Sequence, residues 1–268
     1  MKFERDYQAL VQRILDTGEF REGRKGFTKS IFAERLVVDM TDSDIFPLLM
    51  GRKLYPSGVI GEFAALIRGP HHIDDFERFG CNYWKQWAQP NGYINIDYGN
   101  LWKNFGGTNQ LDELRYKLKH TPMDRRMIVT GWNPANMNLL DLPCCHLLYQ
   151  WYVREGEYLD MIWYQRSVDA MIGLPSDIIL AAVWNAMLAN EVGLKPGKIT
   201  MDLGDTHIYE EHFKQAQEYA CKLLPFENHY PTFKLNCPTS TPIEAFTPEM
   251  LSIFAYNPGP VMQFELKS

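Results

Sequence analysis

Apolar side chains recur at helical spacing near the start of the chain. Tyr7, Leu10, Val11, Ile14 and Leu15 fall on one face of the first segment, and polar residues occupy most of the remaining positions. This spacing predicts an amphipathic helix that ends at the next glycine.

A second helix is indicated by the stretch IGLPSDIIL, in which Asp177 stands at the start of a long apolar run. Short polar side chains accept hydrogen bonds from the free amide groups of a first helical turn, and negative charge suits the positive end of the helix dipole. The residues alone therefore predict that Asp177 begins a buried helix that continues to Val192.

Alternation of apolar and polar positions predicts the strands. Strands are expected around a turn in residues 23–40, and again in residues 125–133, 146–155 and 158–169.

Two further helices and two loop regions complete the predicted elements. Helices are expected at residues 57–69 and 204–224, the second starting with Asp205 and Thr206 in cap-like positions. The aromatic-rich residues 76–102 and the tail after residue 225 are expected to be loops. The predicted fold class is α+β, with several strands in a row and helices on one side, in one domain over residues 1–268.

The amino-acid composition indicates which broad class of protein this chain belongs to. The 268 residues include 46% hydrophobic and 22% charged residues, which is typical of a soluble globular protein, and the net charge of −6 argues against a general nucleic-acid binder. The first residues lack the apolar core of a signal peptide and no apolar stretch has membrane-spanning length, so we expect a cytoplasmic protein. The five cysteines form no zinc pattern, and we expect free thiols and no metal.

The segment DLPCCHLL contains a candidate nucleophile. A thiolate is a strong nucleophile when nearby positive charge lowers its pKa. Cys144 and Cys145, followed by His146, therefore have either a catalytic role or the role of small buried side chains. A hydrolase that uses Cys145, His207 and Asp205 is an alternative, although no hydrolase signature surrounds them.

Several other residues have both a structural and a functional interpretation. Arg24, Arg125, Arg126 and Arg166, with Ser167 and Asp169 nearby in the chain, are either surface charges or the ligands of one phosphate. His207 and Tyr209 are expected at a helix start, as a cap and a packed ring or as hydrogen-bonding groups for a sugar hydroxyl. Trp84 and Trp87 belong to the core or form a platform for a flat cofactor. Glu62 stands among apolar residues, so burial would raise its pKa and suit it to proton transfer.

Taken in order, these segments resemble the thymidylate synthase family over essentially the whole chain. The motifs that carry the resemblance are Arg24 in its turn, Glu62, YWKQW, Tyr98-Gly99, DRRMIVTGWNP, LPCCHLLYQWYV, YQRSVD, GLPSD and GDTHIY. The resemblance implies a thymidylate synthase-like fold, in which a mixed sheet packs against helices and two subunits form a homodimer sheet to sheet.

The resemblance also implies roles for individual residues. Cys145 is the implied nucleophile, and Glu62, Tyr98 and His146 relay protons. Arg24, Arg166 and Ser167 hold the 5′-phosphate of a nucleotide, and Arg125 and Arg126 reach it from the partner subunit. His207 and Tyr209 bind the deoxyribose hydroxyl. The residues expected against the cofactor, 5,10-methylenetetrahydrofolate, are Trp84, Trp87, Leu142, Asp169 and Gly173.

By the same resemblance, Asp177 stands at the position where thymidylate synthases have Asn. The side-chain amide of that Asn recognises uracil through hydrogen bonds. Cytosine reverses the donor and acceptor at ring positions 3 and 4, and a protonated carboxyl, or a carboxylate facing a protonated N3, satisfies that reversed pattern. Phage deoxycytidylate hydroxymethylases in this family carry Asp here. The resemblance therefore favours a folate-dependent deoxycytidylate (dCMP) 5-hydroxymethyltransferase that serves phage DNA modification in the host cytoplasm.

Three alternatives stay open from the residues. They are a dCMP 5-methyltransferase, a thymidylate synthase that methylates deoxyuridylate (dUMP), and a non-catalytic nucleotide- or RNA-binding relative. Water addition at the last step gives a hydroxymethyl group, whereas hydride from the folate gives a methyl group and dihydrofolate. Ser176, where the synthases place Phe, and the polar tail with Glu265 and Lys267 favour a wetter site and the first outcome.

Overall fold

The computed structural model describes residues 2–41, 44–224 and 230–267. Its helices are α1 Lys2–Thr17, α2 Pro56–Leu66, α3 Ile73–Glu77, α4 Asn100–Lys103, α5 Gln110–His120, α6 Gly173–Val192 and α7 Phe213–Ala220. Its strands are β1 Glu19–Gly23, β2 Gly26–Asp39, β3 Ile128–Thr130, β4 His146–Arg154, β5 Tyr158–Asp169, β6 Lys195–Tyr209, β7 Thr232–Leu235 and β8 Leu251–Phe254.

Six strands form one mixed sheet in the order β1-β2-β6-β5-β4-β3, and β7 and β8 form a separate antiparallel pair. Most neighbours in the large sheet are antiparallel, but β5 and β6 are parallel and helix α6 connects them. A parallel pair needs such a crossover, because the chain must return to the starting edge before the second strand begins. The C-terminal end of β5 and the start of α6 are consequently adjacent, and both contribute to the cleft described below.

The two faces of the sheet differ in their surroundings. Along β5, Leu159, Met161, Trp163 and Gln165 face the helices and are buried, whereas the alternating side chains face outward. Helix α6 packs on the inner face and is buried over most of its length, as its mostly apolar sequence predicts. The amphipathic helix predicted at the start of the chain is also confirmed, as α1, with Tyr7 and its apolar partners buried.

The outward face carries a row of apolar side chains that is open to solvent in the single chain. Cross-strand register aligns Val37, Ile162 and Ile128 through Thr200 and Gln150, and the three apolar members are 39%, 38% and 40% exposed. An apolar row of this kind on a sheet face is typical of a surface that another protein covers.

Two predicted helix starts are wrong. Helix α6 begins at Gly173, so Asp177 lies in its second turn and does not cap it; the N-cap residue is Ile172. Asp205 and Thr206 do not begin a helix either, because they lie within β6, and α7 starts only at Phe213. His207 and Tyr209 accordingly stand at the end of a strand and not at a helix start.

The predicted strands at residues 146–155 and 158–169 match β4 and β5. The stretch 23–40, predicted as strands around a turn, contains β2, whereas β1 lies before it except for Gly23. No part of β6 is predicted as a strand, and residues 204–209 are predicted as the start of a helix. The loop prediction for residues 76–102 holds apart from the last residues of α3, a 3-10 turn at Tyr83–Trp87 and the short helix α4. In the described part of the chain, every helix is too short or too polar to span a bilayer.

Candidate active site

A cleft of about 710 Å³ opens where the C-terminal ends of β5 and β6 meet the β1-β2 turn, helix α2 and the start of α6. Its volume is in the range of small-molecule sites. Most of the predicted site residues line it: Arg24, Glu62, Trp84, Trp87, Tyr98, Leu142, Cys145, His146, Arg166, Ser167, Asp169, Gly173, Asp177, His207 and Tyr209.

The two adjacent cysteines have different environments. Cys144 is fully buried, its Sγ lies 2.9 Å from the carbonyl oxygen of His146, and burial raises its pKa well above the usual range. Cys145 is only partly buried and lines the cleft. Since a reacting thiol must meet a substrate, Cys145 is the candidate nucleophile and Cys144 is a core side chain.

The pKa of Cys145 is raised by burial, and three neighbours oppose that shift. The positive charge of Arg166 lowers the pKa most, followed by a hydrogen bond with the Tyr98 side chain, and then by the charge of Lys25. Tyr98 also accepts a hydrogen bond of 2.6 Å from the Cys145 amide, so the backbone of the nucleophile is fixed.

Asp177 lies at the inner end of the cleft, between two hydrogen-bond partners. Its Oδ1 lies 3.0 Å from His146 Nε2, and its Oδ2 accepts a bond of 2.5 Å from Gln165 Nε2. A register shift between His146 and Leu148 pairs His146 with Gln165 across β4 and β5. Such a bulge re-aims a side chain, and here both partners come to point at the helix above them.

Glu62 lies near the aromatic residues of the cleft. Tyr83 Oη donates to one carboxyl oxygen at 2.5 Å, and Trp84 Nε1 donates to the other at 2.7 Å. Both bonds lower the pKa, but desolvation by burial outweighs them and raises the pKa of Glu62 to about 7. The predicted raised pKa is confirmed, and a carboxyl of this kind exchanges protons readily near neutral pH.

A cationic end of the cleft is built from the β1-β2 turn and from β5. Arg24 and Lys25 come from the turn, and Arg166 and Ser167 come from the strand. Arg166 Nε donates to the Cys144 carbonyl at 2.9 Å, and its Nη2 donates to the Pro143 carbonyl at 3.2 Å. These bonds hold the guanidinium against the nucleophile loop.

His207 and Tyr209 line the cleft from β6, and Asp205 orients the first of them. Asp205 Oδ1 lies 3.1 Å from His207 Nδ1 and accepts a bond of 2.7 Å from Ser30 Oγ. The hydrogen bond with His207 is the main reason why the pKa of Asp205 is lowered. An ionised Asp205 fixes the Nδ1-H tautomer and leaves Nε2 as the free ring nitrogen.

The hydrolase interpretation of Cys145, His207 and Asp205 does not fit this geometry. A Cys-His pair needs the imidazole within hydrogen-bond reach of the thiol. Among the described residues, the side chains that act most on the Cys145 thiol are Arg166, Tyr98, Asp177 and Lys25, whereas His207 is hydrogen-bonded to Asp205.

An apolar wall lies next to Glu62 in the cleft. Trp84 and Trp87 pack edge to face with ring centroids 5.3 Å apart, and Leu142 lies on the same cleft surface. Trp87 Nε1 is buried and has no hydrogen-bond partner among the described residues. A buried indole N–H of this kind fits a ligand that brings a hydrogen-bond acceptor.

The end of the chain reaches the mouth of the cleft. Leu266 and Lys267 line it, and Lys25 Nζ donates to the Lys267 carbonyl at 3.0 Å. Lys267 Nζ pairs with Glu211 at 2.5 Å. The tail therefore contacts the same turn that supplies cations to the cleft.

Arg125 and Arg126 are not among the described residues that line the cleft. They border a shallow surface depression with residues 121–124, and Arg126 pairs with Asp124 at 3.0 Å while its side chain stays 83% exposed. Within one chain the four arginines thus do not converge on one phosphate, because these two lie on the loop before β3.

Sequence reasoning missed several cleft residues. Gln165 precedes Arg166 directly, and strict alternation along β5 is the signal that assigns its side chain to the inner face. Lys25 follows Arg24 in the same turn, and Arg21 pairs with Asp205 at 3.2 Å on the cleft rim. The sequence did not predict that these cations line the cleft, because a single sequence does not show which turn lies next to which strand end.

The fold and the cleft define an enzyme whose site joins a cysteine, cations and two acids on a mixed α+β scaffold. The family model for thymidylate synthase matches residues 5–268. The chain belongs to the thymidylate synthase family, and it is therefore a one-carbon transferase that acts on C5 of a pyrimidine nucleotide with methylenetetrahydrofolate as the donor.

Proposed function

We propose that this protein is a dCMP 5-hydroxymethyltransferase. The single observation that carries the proposal is the carboxyl group of Asp177, held at the inner end of the cleft by His146 and Gln165. An acid at this position matches the amino group and N3 of cytosine, whereas the keto oxygen of uracil would face a carboxylate oxygen. A site whose buried polar groups are left unpaired by the wrong base discriminates by about 10⁴-fold or more.

The cationic end of the cleft supports a nucleotide phosphate. Arg24, Arg166 and Ser167 line this end, and arginine binds phosphate oxygens in pairs. His207 and Tyr209 offer a ring nitrogen and a hydroxyl to a sugar. We propose that they bind the 3′-hydroxyl of deoxyribose.

The apolar wall fits the folate cofactor. Trp84, Trp87 and Leu142 would pack against flat rings, the unpartnered Trp87 Nε1 would donate to an acceptor, and Asp169 and Gly173 complete the surface. Methylenetetrahydrofolate, when bound, supplies a one-carbon unit at the oxidation level of formaldehyde.

The protein side chains supply the other steps. Cys145 adds through Sγ to C6 of the pyrimidine, and Arg166 favours the thiolate by lowering its pKa. Asp177 holds the base edge while C5 becomes the nucleophile. Glu62, with a pKa of about 7, is the proton carrier, and Tyr98 and His146 extend the polar path between it and Cys145.

Two features favour a hydroxymethyl over a methyl product. Ser176 lines the cleft where the related synthases place a large ring, and its Oγ donates back to the Ile172 carbonyl at 3.0 Å. The tail brings Lys267 to the cleft mouth. A small polar side chain and a charged rim admit water, which would add to the activated one-carbon group on C5.

We further infer a homodimer through the outward face of the sheet. The family is generally dimeric, and the row of Val37, Ile162 and Ile128 is the apolar surface that a second copy would cover. In that arrangement Arg125 and Arg126 would reach the phosphate of the partner subunit. Light scattering of wild-type and Ile162→Lys protein tests this, since a monomeric wild type would contradict it.

The substrate and product are tested together in one assay. The protein is incubated with methylenetetrahydrofolate and either dCMP or dUMP. The mass of the nucleotide product is determined by mass spectrometry, and the formation of dihydrofolate is followed by its absorbance. A hydroxymethyl product from dCMP without dihydrofolate is expected. Dihydrofolate formed with a methyl product from dCMP would assign a methyltransferase, and turnover of dUMP alone would assign a thymidylate synthase.

The family membership of the chain does not support the alternative of a non-catalytic nucleotide- or RNA-binding relative. The partly buried Cys145, which lines the cleft beside the cations Arg166 and Lys25, argues against it. Absence of any product with either nucleotide, together with tight nucleotide binding, would favour it.

A further inference from the structure

Tyr83 lies on the same face of helix α2 as the carboxyl group of Glu62. The Tyr83 ring packs against Gly58, since a Cβ built on that glycine would come within 3.4 Å of the ring. Gly58 precedes Glu62 by one helical turn, and residues four apart are neighbours on a helix surface. The Tyr83 hydroxyl donates to Glu62 Oε2 at 2.5 Å, and Tyr83 is half-buried and lines the cleft. The residue that holds Glu62 is therefore also part of the cleft surface.

The two donors on Glu62 differ in kind. The indole N–H of Trp84 lies 2.7 Å from Oε1 and can only donate, so Oε1 is an acceptor in both protonation states of the carboxyl. A tyrosine hydroxyl can both donate and accept. A protonated Glu62 therefore carries its proton on Oε2, where it points to Tyr83 Oη, and the hydrogen of Tyr83 turns to another acceptor. Proton exchange at this carboxyl thus involves the Tyr83 hydroxyl.

The surroundings of Tyr83 allow a further partner at its hydroxyl. Burial and the negative charge of Glu62 raise the pKa of Tyr83 well above the usual range, so the hydroxyl keeps its proton near neutral pH. Cys81 also interacts with Tyr83, but burial raises the pKa of this thiol, and a neutral thiol is a weak hydrogen-bonding group. Asp177 on α6 and His146 on β4 also act on Glu62, each less than its two hydrogen bonds do. Among the described residues, Glu62 supplies the oxygen acceptor of this hydroxyl, so Oη can accept a hydrogen bond from a water molecule in the cleft.

We propose that Tyr83 binds the water molecule that adds to the one-carbon group on C5 and relays its proton to Glu62. This inference rests on the proposed function, in which water and not hydride completes the reaction. With Glu62 ionised, Tyr83 donates to Oε2 and the water donates to Tyr83 Oη. Transfer along these two hydrogen bonds lets the carboxylate act as a general base toward a water molecule that it does not touch.

Water addition moves two protons and then releases the nucleophile. The water oxygen forms a bond to the exocyclic methylene carbon, and the π pair between that carbon and C5 moves toward C4 and N3. One water proton passes to Tyr83 Oη while the Tyr83 proton passes to Glu62 Oε2. The displaced pair returns to form the C5–C6 double bond, and Cys145 Sγ leaves C6 with its bonding pair as a thiolate. Glu62 afterwards gives its proton to solvent.

Competition between water and a thiol tests the inference, because a thiolate adds to the same methylene carbon and has no proton to lose. Each protein is given dCMP, methylenetetrahydrofolate and 2-mercaptoethanol at pH 8.5, at which Glu62 is ionised. Mass spectrometry gives the ratio of hydroxymethyl to thioether product. We expect this ratio to fall about tenfold or more in Tyr83→Phe. The matched control is Tyr93→Phe, an exposed tyrosine, which should leave the ratio as in wild type.

Solvent deuterium separates a proton relay from a change in packing. At equal thiolate concentration the wild-type ratio should fall about twofold in D2O, since water addition moves protons and thiolate addition does not. A ratio that is the same in wild type and Tyr83→Phe, or the same in both solvents, overturns the inference and leaves the hydroxymethyltransferase in place. If wild-type protein forms no hydroxymethyl product without the thiol, the proposed function is wrong, and so is this inference. Matching thermal unfolding curves show that both variants fold.

Discussion

Two carboxyl groups face the same cleft, and their surroundings differ. Asp177 is held between His146 and Gln165 on the sheet. Glu62 also accepts two hydrogen bonds, yet burial raises its pKa to about 7. The first arrangement holds an acceptor in place, whereas the second yields a group that gains and loses protons. In the proposed function the same chemical group serves recognition in one place and proton transfer in the other, because the environment differs.

Exchange of the recognition acid is expected to have the largest effect. Asp177→Asn replaces one acceptor oxygen by a donor, which suits the keto oxygen of uracil. We expect the ratio of kcat/KM for dCMP to that for dUMP to fall by about 10³- to 10⁴-fold. Steady-state kinetics with both nucleotides measure it. If the ratio is unchanged, Asp177 does not determine which base is bound, and the proposed difference in role between Asp177 and Glu62 is wrong.

Exchange of the proton carrier should affect rate and not base choice. Glu62→Gln keeps the size of the side chain and its acceptor oxygen but cannot transfer a proton. We expect kcat to fall by about 10²- to 10³-fold, with the dCMP-to-dUMP ratio and the Kd for dCMP within a few-fold of wild type. A variant with normal kcat would remove Glu62 from the chemistry.

The stability of the Glu62→Gln protein depends on pH through the raised pKa of Glu62. Since the pKa of Glu62 is about 7 in the folded protein and near 4.5 in the unfolded chain, its favourable contribution is complete below pH 4.5 and is lost as the pH rises through 7. Solvent reaches part of this side chain from the cleft. We therefore expect Glu62→Gln to gain about 1–2 kcal/mol relative to wild type between pH 5 and pH 8, less than full burial would give. Urea unfolding at both pH values measures this, and a constant difference would contradict the raised pKa.

The smallest expected effect concerns a partner of Glu62. Tyr83→Phe removes the hydrogen bond that lowers the pKa of this carboxyl most, so the pKa should rise further, by about one unit or less. The pH profile of kcat should move upward by the same amount. Tyr116→Phe, an exposed tyrosine on α5, is the matched control and should leave the profile in place.

The sequence predicted the contents of the cleft better than the local structure around it. Cys145, Glu62, Arg166 and His207 were all selected from motifs, and all four line the cleft. Asp177 was placed at a helix start because Pro-Ser-Asp has the residue types of a cap, but the helix begins a turn earlier, at Gly173. The cap-like residues in fact occupy the first turns of the helix, and Asp177 serves as a side-chain acceptor toward β4 and β5.

Strand β6 shows a second case in which local sequence patterns predict the wrong element. Its end, Asp205 to Tyr209, has the local signature of a helix cap, yet pairing with β2 and β5 on both sides keeps it extended. Strand pairing in the folded protein overrides the local conformational preference of these residues, and this pairing cannot be inferred from a single sequence. For the same reason Gln165 was missed, since its role depends on the bulge that brings His146 beside it.

The central claim is that an acid at position 177 makes the enzyme choose cytosine. The most direct test is competition, in which wild-type protein and methylenetetrahydrofolate are given equal amounts of dCMP and dUMP and the modified nucleotides are separated by mass. The account predicts that modified dCMP exceeds modified dUMP by at least about 10³-fold. Equal use of the two nucleotides, or preference for dUMP, would contradict it.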